Sequence, residues 1–214
     1  MSNIVWNECL VHMSETFDYR VGMGNREDLL AGARKVIEEQ GVAKATARDI
    51  AGAAGVSLAA IGYHFGSKEQ LITEALLDAL GTAIGDGMGE LIREGAADAP
   101  IDGFARLWNG MPAVFADNRE ALLASLENTL RIVRNPVGRE QMQAAVEGAY
   151  EGIAEEFAAA HPDLGDERAR ALSEFSFALV QGLAILWLLN PEGTPSGDRL
   201  ASAVRTLAPA PPVE

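Results

Sequence analysis

At 214 residues, 48% of them hydrophobic and 22% charged, the chain is long enough to bury a core, and its composition excludes intrinsic disorder. A formal net charge of −14 argues against a nucleic-acid partner until the charge is counted region by region. The single cysteine, Cys9, excludes an intrachain disulfide and argues against a structural zinc site.

Residues 1–24 show no sustained periodicity and carry Arg20 as their only cation. They predict an N-terminal extension that is loose or orders on contact, the alternative being a helix packed on the body. No basic stretch leads into an apolar core there, so we expect no secretory signal and a cytoplasmic protein.

Asn25 is placed to cap a helix over 26–40, with Leu29, Leu30, Ala33, Val36 and Ile37 on one face and Gly41 ending it. Thr46, three residues before Asp49, predicts the start of a second helix, which carries Ile50, Ala51 and Ala54 on one face. Gly55 supplies the left-handed turn that stops it. Ser57 then caps a third helix to Phe65, in which Ile61 and Phe65 point inward while Leu58, Ala59, Gly62 and Tyr63 point elsewhere. Gly66 closes that helix, and Ser67 with Gln70 opens the next. Two helices separated by a short turn that contains glycine form a helix-turn-helix, whose second helix enters the DNA major groove.

Charge supports this placement. Residues 25–68 carry six Lys/Arg against five Asp/Glu, whereas residues 69–214 carry ten against twenty-three. The acid therefore sits away from the proposed DNA face. Thr46, Arg48, Tyr63, His64 and Lys68 are the candidate phosphate contacts. Ser57, Leu58 and Ala59 are the candidates for base reading, which would lean on apolar contact with thymine methyl groups.

Thr46, Arg48, Ile50, Ala51, Ala54-Gly55-Val56-Ser57, Ile61, Phe65 and Ser67-Lys68-Glu69 with Leu71 resemble the signature of the TetR/AcrR family of transcriptional regulators. The likeness covers roughly residues 26–72. Where most members of that family carry Gly and then Leu-Tyr, this chain has Ala59 and then Ile61-Gly62, with its tyrosine at Tyr63. The resemblance implies a homodimer on a palindromic operator in double-stranded DNA, usually a repressor released by a small-molecule effector.

From Ser67 the residues Leu71, Ile72, Ala75, Leu76, Ala79, Leu80, Ala83 and Ile84 run on with helical period. They then meet Gly81, Gly85, Gly87 and Gly89, predicting a connecting helix weakened or kinked by glycine. Pro100 starts a helix on which Phe104, Leu107, Trp108, Met111 and Phe115 recur at helical spacing, with a kink or break expected at Pro112. Such a stripe is core or the lining of a ligand cavity. Asn118 caps a segment to Asn135 that turns Leu122, Leu126, Thr129, Leu130 and Val133 inward. Its polar residues Asn128 and Arg131 face either a pocket or solvent. Phe104, Trp108, Met111, Phe115, Asn128 and Arg131 are the candidate effector pocket.

Pro136 opens a helix to about Ala160 with Met142, Ala145, Val146, Ala149, Ile153 and Phe157 on its apolar face. Asp166 opens another to about Asn190, apolar on nearly all sides. Leu172, Phe175, Leu179, Leu183, Leu186 and Trp187 are assigned to one side of it and Phe177, Val180, Ala184, Ile185 and Leu188 to the other. Its longest apolar run, 175–189, falls short of the roughly 20 residues that span a bilayer, so no membrane is expected. The same helix of a second subunit would cover one side, giving Phe177, Val180, Ala184 and Leu188 as the candidate dimer interface. A short helix over 196–207 and an extended Pro-rich tail complete the chain.

The expected fold is all-α: an extension (1–24), a three-helix helix-turn-helix DNA-binding domain (25–70), a helical effector-binding and dimerisation domain (71–207) and a flexible tail (208–214). No cofactor, metal or catalytic residue is assigned. His12, His64 and His161 are far apart, and no HExxH or GxSxG spacing occurs. The competing reading is a helical scaffold that keeps the fold without specific operator binding.

Overall fold

Residues 25–134 and 136–207 are described by the structure, a computed structural model; the expectations for 1–24 and 208–214 lie outside them. The described residues form nine α-helices and one short 3-10 turn. The helices are α1 (25–40), α2 (Ala47–Ala54), α3 (Leu58–Phe65), α4 (Lys68–Glu94), α5 (Pro100–Asp117), α6 (Arg119–Val133), α7 (Pro136–Ala160), α8 (Asp166–Leu189) and α9 (Gly197–Leu207). The chain divides between Leu76 and Leu77, inside α4, into two compact units. That division falls six residues beyond the boundary read from sequence.

The first unit is built on the stripe of α1. Leu29, Ala33 and Val36 are buried, as are Ile50, Ile61 and Phe65 and the first turns of α4 at Leu71, Ile72 and Ala75. Gly32 brings α1 so close to α2 that a Cβ there would stand 2.9 Å from both the Ala54 amide nitrogen and the Ile50 carbonyl oxygen. Arg26 lays its guanidinium over the Phe65 ring, 5.2 Å from the centroid, and pairs with Glu74 on α4. A cation over a desolvated ring is attractive, so this pair helps tie both ends of the three-helix module to α4.

In the second unit α7 packs along α8, and α9 packs on α5. Met88 and Ile92 of α4 join Leu107, Trp108, Met111 and Phe115 of α5 and Val180, Leu183 and Trp187 of α8 in one core. Helix α4 is continuous through its glycines, and α5 is continuous through Pro112. One glycine of α4 has a packing role: a Cβ at Gly87 would meet Val114 of α5 at 2.8 Å.

Two faces differ from expectation. On α6 the buried positions are Leu122, Asn128 and Ile132, while Leu130 and Val133 are exposed. On α8 the buried stripe is Ala169, Ser173, Ser176, Val180, Leu183, Ala184 and Trp187. Small side chains let α7 approach, and Ser173 Oγ donates to the Tyr150 carbonyl oxygen of α7 at 2.6 Å. The larger Phe175, Ile185, Leu186 and Leu189 are turned outward. By length and composition alone α8 is long and apolar enough to cross a membrane, a test that the core helix of a soluble protein passes as well.

Candidate nucleic-acid interface

Thr46 caps α2 as its spacing predicts: Oγ1 accepts from the Asp49 amide at 3.2 Å and donates to Asp49 Oδ2 at 2.6 Å. The Asp49 carboxylate thus lies at the positive end of the α2 dipole. Gly55 ends α2 with φ +68°, a left-handed conformation that a side chain would strain. The chain reverses there and enters α3 at Ser57, whose backbone is extended but whose hydroxyl makes no capping bond. That differs from expectation and leaves the Ser57 side chain exposed at the tip of α3.

Helix α3 has two chemically distinct faces. Ile61 and Phe65 are buried in the first unit, while Leu58 is 51% exposed and Tyr63 85% exposed, with Ala59 and Gly62 also open. On this helix of eight residues the exposed Tyr63 offers a hydroxyl, and the exposed Leu58 at its first turn offers apolar surface. Tyr63 meets the half-buried His64 edge-on at 4.8 Å between centroids. Arg48 is exposed on α2.

Lys68 is held differently from a free surface cation. Its Nζ donates to the Ala45 carbonyl oxygen at 3.1 Å and lies 3.7 Å from Glu69 Oε1. The ammonium therefore fastens the start of α4 to the segment before α2. Ser67 caps α4, its Oγ accepting from the Gln70 amide at 3.1 Å. Thr46, Arg48, Ser57, Leu58, Ala59, Tyr63, His64 and Lys68 all lie within the three-helix unit and its exit.

The second unit gathers part of the candidate effector pocket. Trp108, Met111 and Phe115 are buried in its core, and Phe104 packs against them with its ring 6.1 Å from that of Trp108. Asn128 is buried on α6, but Arg131 is exposed and so is not placed among these core side chains. Of the candidate dimer residues, Val180 and Ala184 are buried in their own unit, and Phe177 and Leu188 are half-buried. The face of α8 that remains open is that of Phe175, Ile185, Leu186 and Leu189. Size alone misleads on such a helix, because the residues that permit close packing are the small ones.

Comparison with known proteins bears on this arrangement. The family described as bacterial regulatory proteins, tetR family, matches residues 29–75. The chain is 30% identical over 181 residues to the HTH-type transcriptional regulator TtgR of Pseudomonas putida, covering 78% of this chain and 81% of that protein. Over 55 residues it is 40% identical to the HTH-type transcriptional repressor KstR2 of Mycolicibacterium smegmatis, covering 26% of this chain and 27% of that protein. Among solved structures, the multidrug binding protein EbrR complexed with imidazole shares the fold, with a TM-score of 0.58 at 23% identity over 88% of this chain and 92% of that one.

Proposed function

The chain belongs to the TetR family of bacterial regulatory proteins, and from that premise we propose that it is a dimeric repressor of a palindromic operator, relieved by a small molecule. The all-α fold and the regulator family make it a DNA-binding transcriptional regulator rather than an enzyme. The observation that carries the finer reading is that α3 leaves Leu58 and Tyr63 exposed while burying Ile61 and Phe65.

In this reading Ser57, Leu58 and Ala59 meet base edges and thymine methyl groups, while Thr46, Arg48, Tyr63 and His64 meet phosphates. Lys68 lends its charge from the position fixed by Ala45. Residues 25–70 act as the DNA-binding domain and 71–207 as the effector and dimerisation domain. Two subunits join through the outward apolar face of α8, since a patch of large apolar side chains on a soluble protein marks an interaction surface. The two recognition helices then enter successive major grooves about 34 Å apart, and the operator is an inverted repeat.

The effector enters the core around Phe104, Trp108, Met111 and Phe115 and shifts α4. A coupling of about 1–3 kcal/mol suffices if the molecule binds the two arrangements unequally. TtgR and KstR2 are named as a regulator and a repressor, and EbrR as a multidrug binding protein; their likeness supports this reading.

The test is selection of a bound sequence from random DNA, followed by anisotropy titration of that sequence across a salt series. An inverted repeat bound as a dimer, with affinity falling as salt rises, is the expected result. A folded protein that selects no sequence would overturn the assignment in favour of a scaffold.

A further inference from the structure

Trp108 carries a polar atom that its surroundings do not satisfy. Its side chain is 1% exposed, and its Nε1 has no hydrogen-bond acceptor within reach among the described residues. An indole N–H can only donate, and buried tryptophans usually find an acceptor. Its apolar surroundings include Leu107, Met111, Phe115, Leu183 and Trp187, and the buried polar residues among the described ones, Thr73, Asn128, Ser173 and Ser176, carry no charge. Most backbone carbonyls of α5 are engaged in the helix, although Pro112 has no N–H to give the carbonyl oxygen of Trp108 itself. A lone buried donor of this kind calls for a specific explanation.

Rings gather in this core and at its edge. Phe104, half-buried against the core, meets Trp108 edge-on and stacks on the outward Phe175 of α8 at 6.1 Å with 17° between planes. Phe115 meets Trp187 at 6.1 Å. Met88 and Met111 are buried among them, and methionine can rearrange to admit a guest because its thioether chain is unbranched and flexible.

We propose that Trp108 is the hydrogen-bonding anchor of the effector site, donating from Nε1 to a carbonyl, ether or ring-nitrogen acceptor on a neutral, planar aromatic molecule. The proposal rests on the effector-relief reading above and adds the chemical class of the effector. Each feature selects one property. The absence of charged side chains from the fully buried described residues disfavours an ion, because an unpaired buried charge is not compensated. The rings favour a planar aromatic partner through stacked and edge-to-face contacts. The unpaired donor favours an acceptor and discriminates against an analogue lacking one, which would leave the N–H desolvated and unsatisfied.

The test uses the full chain labelled with nitrogen-15 and a matched pair of probes, fluorenone and fluorene, which differ in a carbonyl against a methylene. The indole resonances of Trp6, Trp108 and Trp187 are separated by the variants Trp6→Phe and Trp187→Phe, so the reading does not depend on any change at Trp108. We expect fluorenone to move the Trp108 indole proton downfield and fluorene to leave it unshifted by hydrogen bonding. Trp108→Phe should lose about tenfold in fluorenone affinity and nothing in fluorene affinity. Equal binding of both probes to wild type and Trp108→Phe, with the indole proton unmoved, would overturn the anchor while leaving a pocket in place. Binding of neither probe would overturn the assigned ligand class, and an indole proton already bonded to a buried water that fluorenone does not displace would overturn the donor role. Operator release is measured separately: fluorenone bound at Trp108 without loss of DNA affinity would keep the anchor and sink the relief mechanism.

Discussion

Gly32 of α1 faces Ala54 of α2 so closely that a Cβ at residue 32 would lie 2.9 Å from the Ala54 amide nitrogen and 3.0 Å from its Cβ. Backbone atoms cannot swing aside, so Gly32→Ala must push the two helices apart. Alanine gains about 1 kcal/mol over glycine in a helix interior, but overpacking a tight contact costs about 1–3 kcal/mol and should win. Gly52, on α2 with nothing near its would-be Cβ, gives the opposite sign. Urea denaturation should show Gly32→Ala destabilised and Gly52→Ala stabilised by about 0.5–1 kcal/mol.

Exposed residues of the proposed DNA face should separate binding from folding. Tyr63→Ala and Arg48→Ala should leave stability within about 0.5 kcal/mol of wild type. Both should weaken binding to the selected operator, and Arg48→Ala should reduce the slope of log affinity against log salt by about one. Thr46→Ala should behave differently, costing about 1 kcal/mol of stability through loss of the α2 cap, with Thr46→Ser restoring it. Anisotropy and thermal denaturation on the same preparations make the comparison.

Two substitutions on α8 distinguish its faces. Leu186→Glu places charge on the outward face and should yield a folded monomer by sedimentation velocity, with operator binding reduced. Val180→Glu places charge in the core and should unfold the second unit, since an unpaired buried carboxylate costs several kcal/mol. A folded dimer from Leu186→Glu would remove this face from the interface.

In the same unit, a Cβ on Gly197 would run into the Ala105 carbonyl oxygen. The Gly197 amide donates to Asn109 Oδ1 at 2.8 Å, and Asn109 Nδ2 donates to Asp198 Oδ2 at 3.0 Å. Gly197→Ala should therefore undock the start of α9 and cost about 3 kcal/mol. Arg205→Ala breaks only an exposed pair with Asp102 and should cost under about 1 kcal/mol. Calorimetry of both variants tests the contrast.

Arg170 grips Glu147 with both terminal nitrogens, at 2.7 and 3.0 Å, and Glu174 through Nε at 2.7 Å. Its hydrogen bonds hold the Glu147 carboxyl below its ordinary value of 4.5. A depressed folded value means that the pair stabilises the fold above pH 4.5 and that this contribution is lost as pH falls through the folded value. Glu147→Gln should flatten that part of the acid limb of the stability curve measured by urea denaturation. An unchanged limb would show that the pair does not contribute.

The helix-turn-helix was legible because its determinants are local. Thr46 to Asp49, the Gly55 turn and Ser67 to Gln70 are each encoded within four residues, and the structure has the caps at Thr46 and Ser67. Faces of the long helices were harder to read. On α8 the large residues Phe175 and Leu186 suggest an inner face, yet Ser173, Ser176 and Ala184 are buried because small side chains allow α7 to approach. Asn128 is buried on α6 while Leu130 is exposed, a choice made by the neighbouring helices rather than by residue type. The unsatisfied Trp108 nitrogen had no sequence signal, since it depends on what the fold withholds from it. Glycine in α4 marks close packing at Gly87, where spacing alone suggests weakness.

The two units must also finish at different times during synthesis. Everything in the first unit lies before residue 77, and its contacts join segments near one another along the chain. The second unit is closed by α9, whose Gly197 amide reaches back to Asn109 and whose Arg205 reaches back to Asp102. Translation at about 5–20 residues per second separates these events by on the order of ten seconds. The nascent chain thus holds all of the first unit while the second is still open. Docking of α9 completes the second unit, so a premature stop before residue 197 would leave a complete first unit attached to an unfinished second one.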